Sequence, residues 1–216
     1  MSLRSNLARV QNRILVACDT SGRDPKSVVL VAVTKTVPVE RVREAYDLGL
    51  RVFGENRLQE ALPKIGALPA DVEWHFVGRL QSNKARAVAE AFRVVHTLEK
   101  GSQLDEIGKA SRRIDGLVEL NLGNEPQKAG VFPEALDKTL TLVQQCRNVR
   151  FRGLMTIGPM SSDPEGNRPL FRQMSELGKR VGAEWLSMGM SADLEAAIQE
   201  GSTHVRVGTA IFGERD

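Results

Sequence analysis

The sequence predicts an α/β fold: a single (β/α)8 TIM barrel across residues 1–216, with an extra N-terminal helix. Three observations predict it. Short apolar runs alternate with amphipathic stretches along the whole chain, these runs number eight, and no low-complexity linker divides them. Strands that alternate with helices pair in parallel, and eight such units close a barrel. At 216 residues, with 41% hydrophobic residues, the chain is long enough to bury the core of one large domain.

The extra helix is the first element. Its apolar residues recur at helical spacing and its arginines lie between them, a pattern that a transit peptide also shows. The apolar run Ile14 to Cys18 is too short for a signal core, and Asp19 is unusual in a transit peptide. We therefore expect a helix that packs on the domain.

Eight predicted strands follow: Val28 to Val33, Val52 to Gly54, Glu73 to Val77, Val94 to Leu98, Leu117 to Asn121, Phe151 to Ile157, Trp185 to Met188 and His204 to Val207. The amphipathic stretches between them include Val39 to Leu48, Gln81 to Phe92, Pro133 to Cys146 and Leu194 to Glu200. An open doubly wound sheet is the alternative, but no Gly-x-Gly-x-x-Gly turn follows the first strand. The segment Gly158 to Pro169 is rich in Pro, Gly, Ser and Asp, which predicts a long mobile loop after strand six.

Composition disfavours several classes of partner. No apolar run approaches the length of a bilayer span, so we expect a soluble protein without a membrane partner. The net charge is +3, basic and acidic residues are interleaved, and aromatic residues are few, so nucleic-acid binding gains no support. Cys18 and Cys146 are far apart in sequence, which predicts reduced thiols in the cytoplasm. The residues His75, His96 and His204 show no metal-ligand spacing, which predicts structural histidines and no metal site.

Barrel enzymes and binding proteins place their chemistry at the carboxyl ends of the strands. The first predicted strand ends at Lys35. Partial desolvation there lowers the pKa of an ammonium and frees the amine for Schiff-base chemistry with an aldehyde. A lysine that merely reaches solvent is the alternative, and the far end of the chain decides between the two.

The last two predicted strands end in residues that suit a phosphate. Barrels often bind phosphate with the loops after strands seven and eight. Ser191 and Thr209 offer hydroxyl and N–H donors, and Gly208 permits close backbone approach. Ser191 is also a candidate helix N-cap, while Arg206 faces either the barrel mouth or a structural carboxylate. An amine opposite a phosphate pocket fits pyridoxal 5′-phosphate (PLP), which carries an aldehyde and a phosphate on one ring.

Seven motifs strengthen this interpretation: Val31-Ala32-Val33-Thr34-Lys35, Phe53-Gly54-Glu55-Asn56, Trp74-His75-Phe76-Val77-Gly78, Leu80-Gln81-Ser82-Asn83-Lys84, Arg152-Gly153-Leu154-Met155, Leu186-Ser187-Met188-Gly189-Met190-Ser191 and Val205-Arg206-Val207-Gly208-Thr209-Ala210-Ile211-Phe212-Gly213. With these motifs the chain resembles, over its whole length, the PLP homeostasis protein family, also called the YggS or proline synthase co-transcribed protein family.

The resemblance implies a barrel of the alanine racemase N-terminal domain type, without the second β domain of the racemases. It implies that Lys35 holds PLP as an aldimine and that Asn56 lies beside the cofactor. It also implies that Ser191, Gly208 and Thr209 hold the phosphate and that Arg206 approaches the pyridine nitrogen. Two stretches depart from the family pattern, Thr156-Ile157-Gly158-Pro159 and Gly123-Asn124-Glu125-Pro126-Gln127-Lys128.

The resemblance implies a carrier that buffers or delivers PLP, with apo PLP-dependent enzymes as acceptors. The residues also favour a carrier over an enzyme. A two-base racemase needs a group opposite the lysine, and the only tyrosine, Tyr46, falls on the helix after strand one. A protonated Arg206 at the ring nitrogen would weaken the electron sink that carbanion chemistry uses. A weak PLP-dependent racemase or lyase is the alternative, and a cofactor-free Schiff-base aldolase ranks third.

Overall fold

Eight parallel strands form the centre of the computed structural model, which describes residues 2–123, 125, 127–159 and 163–213. They are β1 (Val29–Val33), β2 (Val52–Glu55), β3 (Glu73–Phe76), β4 (Val94–Leu98), β5 (Ile114–Leu120), β6 (Val149–Thr156), β7 (Trp185–Ser187) and β8 (His204–Val207). Each strand pairs with the next, and β8 pairs with β1, so the sheet is a closed barrel. The predicted barrel is confirmed, and the open-sheet alternative is wrong.

Helices surround the barrel. They are α1 (Leu3–Thr20), α2 (Val39–Asp47), α3 (Leu58–Ala67), α4 (Ser82–Ala91), α5 (Gly101–Ile107), α6 (Leu136–Gln145), α7 (Arg168–Val181), α8 (Leu194–Gln199) and α9 (Thr209–Phe212). None of these helices is both long enough and apolar enough to cross a bilayer.

Two strands begin earlier than the sequence pattern predicts. β5 starts at Ile114 instead of Leu117, and β6 starts at Val149 instead of Phe151. The reason is a charged pair on adjacent strands: Asp115 lies opposite Arg150 in the parallel register, and the guanidinium donates to both carboxylate oxygens. Charged residues that satisfy each other across a sheet interrupt the apolar run from which strands are predicted.

The predicted loop Gly158 to Pro169 is shorter than expected, because α7 already begins at Arg168. Pro169 occupies the first turn of that helix, where a missing N–H costs no hydrogen bond. Residues 160–162 of this loop lie outside the described residues, as do Asn124 and Pro126 of the loop after β5.

The hydrophobic core has two parts. The larger lies between the barrel and its helices, and the smaller consists of Val94, Leu117 and Met155 with Trp185 packed against it. Alternate residues of a strand share a face. His96 therefore lies on the same face of β4 as Val94, and Ser187 lies on the same face of β7 as Trp185. The barrel interior therefore changes from apolar to polar along the strands.

The N-terminal helix packs as predicted. Its buried side chains include Leu3, Leu7, Val10 and Ile14, and α1 lies against α8 and α9. The side-chain amide of Asn6 also donates to the carbonyl of Ile211 at 3.0 Å. The helix thus supports the two elements that follow β7 and β8.

Candidate functional site

A cavity of about 400 Å³ opens at the carboxyl ends of the strands; we call it the mouth cavity. All six residues that the sequence predicts for a cofactor site line it: Lys35, Asn56, Ser191, Arg206, Gly208 and Thr209. They come from the ends of β1 and β2 and from the segments at β7 and β8. Its volume lies within the range of small-molecule sites, about 300 to 1,000 Å³.

Lys35 is half-buried and follows directly after the buried Thr34. The next residue, Thr36, has a φ of 62°, which is the left-handed region that β-branched residues rarely adopt. The N–H of Thr36 donates to a carboxylate oxygen of Glu60 at 3.2 Å, and its hydroxyl donates to the carbonyl of Lys35 at 2.6 Å. Strained backbone of this kind is characteristic of functional sites.

A buried ion pair fixes the strand ends beside Lys35. The ammonium of Lys64 donates to Glu55 Oε1 at 2.6 Å and to the carbonyl of Thr34 at 2.7 Å. The hydroxyl of Thr34 also donates to Glu55 Oε1, at 2.6 Å. The pair therefore joins the ends of β1 and β2 to α3. The sequence pattern did not predict this ion pair. The one feature that indicates it is a lysine on the buried face of α3.

Ser191 does not cap α8, so its predicted N-cap alternative is wrong. Asp193 is the N-cap residue of that helix. The backbone N–H of Ala210, in α9, donates to Ser191 Oγ at 3.4 Å instead. The hydroxyl of Ser191 therefore links the segment after β7 to the one after β8, which brings Ser191, Gly208 and Thr209 to the same side of the mouth cavity.

Two further residues, both missed from the sequence, hold the segment that contains Ser191. Asp193 accepts from the N–H of Met190 at 2.7 Å and from the side-chain amide of Asn167 at 2.8 Å. Arg13 of α1 donates to the carbonyl of Ser191 at 2.9 Å and pairs with Glu195. The contact of Asp193 with Asn167 crosses 26 positions of sequence, and those of Arg13 with Ser191 and Glu195 cross 178 and 182, so local pattern carries no signal for these three.

Arg206 is 5% exposed and borders the mouth cavity. Its guanidinium donates to the carbonyl of Ser187 at 2.7 Å, to the hydroxyl of Ser187 at 2.6 Å and to the carbonyl of Thr156 at 2.8 Å. Burial lowers the pKa of Arg206 to about 10, while the charges of Glu119 and Asp193 act in the opposite direction. Arg206 thus faces the barrel mouth, and its direct partners are neutral oxygens.

Asn56 lies between the mouth cavity and two neighbouring cavities. Its Oδ1 atom is buried and accepts no hydrogen bond from any described residue. One neighbouring cavity, of about 450 Å³, is lined by Arg79 and Lys84. The other, of about 240 Å³, is lined by Lys128 and Glu119. Burial raises the pKa of Glu119 to about 7, and the charge of Glu99 adds to this effect.

The three histidines are not separated in space as their sequence positions suggest. His75 Nδ1 lies 2.9 Å from His96 Nε2, and the ring of His204 lies within about 6 Å of both rings. Within the described ranges, no group of three or more His, Cys, Asp or Glu side chains is arranged to hold a metal ion.

Comparison with known proteins identifies what the chain is similar to. The family model for the N-terminal domain of alanine racemase matches residues 4–216. The chain is 44% identical to the pyridoxal phosphate homeostasis protein of Aquifex aeolicus, over 100% of this chain and 99% of that protein. It is 39% identical to the protein of the same name from Escherichia coli K12, over 98% and 96% of the two chains.

Solved structures of related proteins are also similar to this chain. PipY of Synechococcus elongatus with PLP bound is 34% identical, with a TM-score of 0.83 over 98% of this chain and 100% of that chain. An unknown protein from Bifidobacterium adolescentis is 30% identical, with a TM-score of 0.89 over 97% of this chain and 94% of that one. Alanine racemase from Bacillus anthracis, at 18% identity and a TM-score of 0.69, shares the fold; the match covers 97% of this chain and 56% of the racemase.

Proposed function

We propose, from the premise that this chain belongs to the pyridoxal phosphate homeostasis protein family, that it binds PLP in the mouth cavity and buffers or delivers the cofactor. The observation that carries the proposal is the convergence of a lysine, an arginine and three small residues, Ser191, Gly208 and Thr209, on one cavity of about 400 Å³. PipY, the relative solved with PLP bound, supports it.

The residues present fit the cofactor. The unpartnered Asn56 Oδ1 offers an acceptor to a donor from a ligand, and Val77 and Ile157 give the cavity an apolar wall for a ring. Ser191 and Thr209 supply donors that a phosphate needs. When bound, PLP supplies an aldehyde that bonds reversibly to primary amines, so a protein that holds it through a lysine can also release it.

Each side chain has one role in this proposal. Lys35 provides the amine that attaches the cofactor, and its strand-end position is fixed by the Lys64–Glu55 pair. Ser191, Gly208 and Thr209 bind the phosphate at the other side of the cavity. Arg206 presents N–H groups to the ring nitrogen. A guanidinium that remains protonated disfavours a protonated ring, so the site holds the cofactor without activating it.

We infer that the protein is a carrier and not an efficient enzyme. The single tyrosine, Tyr46, lies on α2, and its hydroxyl donates to Asp71 at 2.9 Å outside the mouth cavity. A weak PLP-dependent racemase or lyase is the second candidate. It is favoured by the racemase fold and by Glu119, whose pKa near neutrality suits an acid or base.

The partners in this proposal are PLP itself and apo PLP-dependent enzymes that accept it, with neither nucleic acid nor membrane involved. We also propose a reducing, cytoplasmic location, since Cys18 and Cys146 are both free thiols.

The decisive experiment is borohydride reduction of the purified protein, followed by intact mass and peptide mapping. We expect a yellow protein whose absorbance changes on reduction and whose pyridoxyl group maps to Lys35. Lys84→Ala and Lys128→Ala, at lysines of the two neighbouring cavities, are controls that should keep the label. A label on Lys84 or Lys128 in the unmodified sequence would overturn the assignment, and a colourless protein that takes up no PLP would favour the cofactor-free aldolase.

A further inference from the structure

We propose that Glu73, His75, His96 and Ser187 form a one-directional hydrogen-bond chain whose purpose is to position the guanidinium of Arg206. The inference rests on the proposed function, since it assigns Arg206 a ligand. It adds four positioning residues, none of which lines the mouth cavity.

This hydrogen-bond chain runs through the interior of the barrel. Glu73 lies at the start of β3 with its side chain 44% exposed, and its carboxylate is 2.8 Å from His75 Nε2. His75 Nδ1 is 2.9 Å from His96 Nε2, and His96 Nδ1 is 2.9 Å from the hydroxyl of Ser187. That hydroxyl accepts from Arg206 at 2.6 Å. An unbroken series of short contacts thus connects the amino-terminal end of the barrel to the cavity at its other end.

The chemistry of the two ends fixes the direction of every bond. A guanidinium can only donate, so the Ser187 hydroxyl accepts from Arg206 and has its own proton left to give. The acceptor within reach is His96 Nδ1. A neutral His96 then carries its proton on Nε2 and donates to His75 Nδ1.

The carboxylate end fits the same arrangement. The hydrogen bond from His75 lowers the pKa of Glu73, so Glu73 is an ionised acceptor. His75 therefore carries a proton on Nε2, and as a neutral ring it offers its Nδ1 as an acceptor to His96. Burial lowers the pKa of His96 well below its ordinary value, which keeps that ring neutral as the chain requires. Both ends thus predict the same two tautomers.

This arrangement matters for Arg206 because it holds the guanidinium in one orientation. Three of its five N–H groups are used by Ser187 and Thr156. The other two have no acceptor among the described residues, and the side chain borders the mouth cavity. A hydroxyl that is itself committed to His96 cannot rotate away from Arg206. The hydrogen-bond chain therefore keeps the two remaining N–H donors of Arg206 available to an acceptor atom of a ring ligand.

The first test is the tautomeric state of the histidines, read from side-chain ¹⁵N shifts of the full chain with and without PLP. Single substitutions of each histidine assign the signals. We expect His75 and His96 to be neutral with the proton on Nε2. His204 forms a hydrogen bond with the hydroxyl of Thr203, is not a member of the hydrogen-bond chain, and serves as the reference. A proton on Nδ1 of His96 would reverse the bond to Ser187 and overturn the proposal.

The second test separates positioning from packing. It compares the affinity for PLP with that for 1-deaza-PLP, in which a C–H replaces the ring nitrogen. We expect the unmodified protein to prefer PLP, and Ser187→Ala and His96→Leu to reduce that preference roughly three- to tenfold, the effect of one ordinary hydrogen bond. His96→Gln, whose amide can accept from Ser187 and donate to His75, should restore it, and His204→Phe should leave it unchanged.

The outcomes distinguish the two proposals. If the unmodified protein binds neither ligand, the proposed function fails, while the ¹⁵N measurement still decides the direction of the chain. If it binds both equally, Arg206 does not donate to the ring nitrogen and the inference fails. If the preference survives in Ser187→Ala and in a folded His96→Leu, the chain is only a polar core, and the inference fails while PLP binding stands.

Discussion

Lys64 and Glu55 form a buried ion pair at 2.6 Å, directly behind the lysine that lines the mouth cavity. Their side chains are 8% and 0% exposed, and Glu55 Oε2 accepts no hydrogen bond from any residue that the structure describes. A buried pair of this kind is expensive to break, because removal of one partner leaves the other as an uncompensated charge.

We therefore expect Lys64→Met to lower the free energy of unfolding by about 3 to 5 kcal/mol. The double variant Lys64→Met, Glu55→Gln should recover much of this loss, since no charge is then left unpaired. The control is Lys109→Met, which removes an exposed i,i+3 partner of Glu106 and should change stability by less than about 1 kcal/mol. Urea denaturation measures all three. An equal loss in the single and double variants would show that Lys64 acts through packing alone.

The second prediction concerns Ser191. A hydrogen bond to a charged group contributes on the order of 1.5 to 3 kcal/mol, so Ser191→Ala should weaken PLP binding roughly tenfold or more. Pyridoxal, which has no phosphate, should bind with little change. Ser82→Ala, whose hydroxyl contacts Ser102 away from the mouth cavity, is the matched control. Titrations of both ligands measure the effect, and equal losses for PLP and pyridoxal would mean that Ser191 acts on the fold.

The sequence predicts the parts of the site that follow from strand ends. Lys35, Gly208 and Thr209 stand immediately after apolar runs, and a parallel barrel brings all such positions to one face. The supporting residues are different. Lys64 and Asp193 act through contacts with other segments, and nothing in their local sequence indicates that Lys64 donates to the carbonyl of Thr34 or that Asp193 accepts from the amide of Asn167.

The histidine cluster illustrates the same limit. His75 and His96 lie on neighbouring strands with inward-facing side chains, and periodicity predicts only that each faces the interior. The distance between them depends on the stagger of β3 against β4, which is set by the closure of the barrel and not by either strand. Fold class is thus predictable from the sequence, whereas the polar contacts inside the barrel require the structure.

The third prediction concerns pH. Burial lowers the pKa of His204 to about 3, whereas an unfolded histidine titrates near 6.5. Between these values the unfolded chain binds a proton that the folded chain does not, so stability falls as pH falls. The contribution of His204 is fully present above about pH 6.5 and decreases by about 1.4 kcal/mol per pH unit below it.

His204→Phe removes this titration and keeps an aromatic ring beside Trp185, whose ring centroid is 4.6 Å from that of His204. Between about pH 6 and pH 4.5 the unmodified protein should lose about 2 kcal/mol more than the variant. Denaturant unfolding at the two pH values measures this difference, in which the carboxylates common to both proteins cancel. Parallel pH profiles for the two proteins would contradict the low pKa of His204.

The last prediction is that PLP-loaded protein barely reacts with amino acids. Reprotonation at Cα would depend on Lys35, Glu119 or water, and a positioned acid or base opposite the lysine would otherwise contribute roughly 10² to 10⁴ in rate. Solvent deuterium exchange at Cα of several amino acids, followed by NMR, measures this directly, with Glu119→Gln as the matched variant. Exchange at about 1 to 10³ per second, lost in Glu119→Gln, would replace the carrier by the racemase alternative and identify Glu119 as its acid or base. Negligible exchange in both proteins, together with release of PLP to an apo-enzyme, would support the carrier, because the cofactor is then held and passed on without chemistry at Cα.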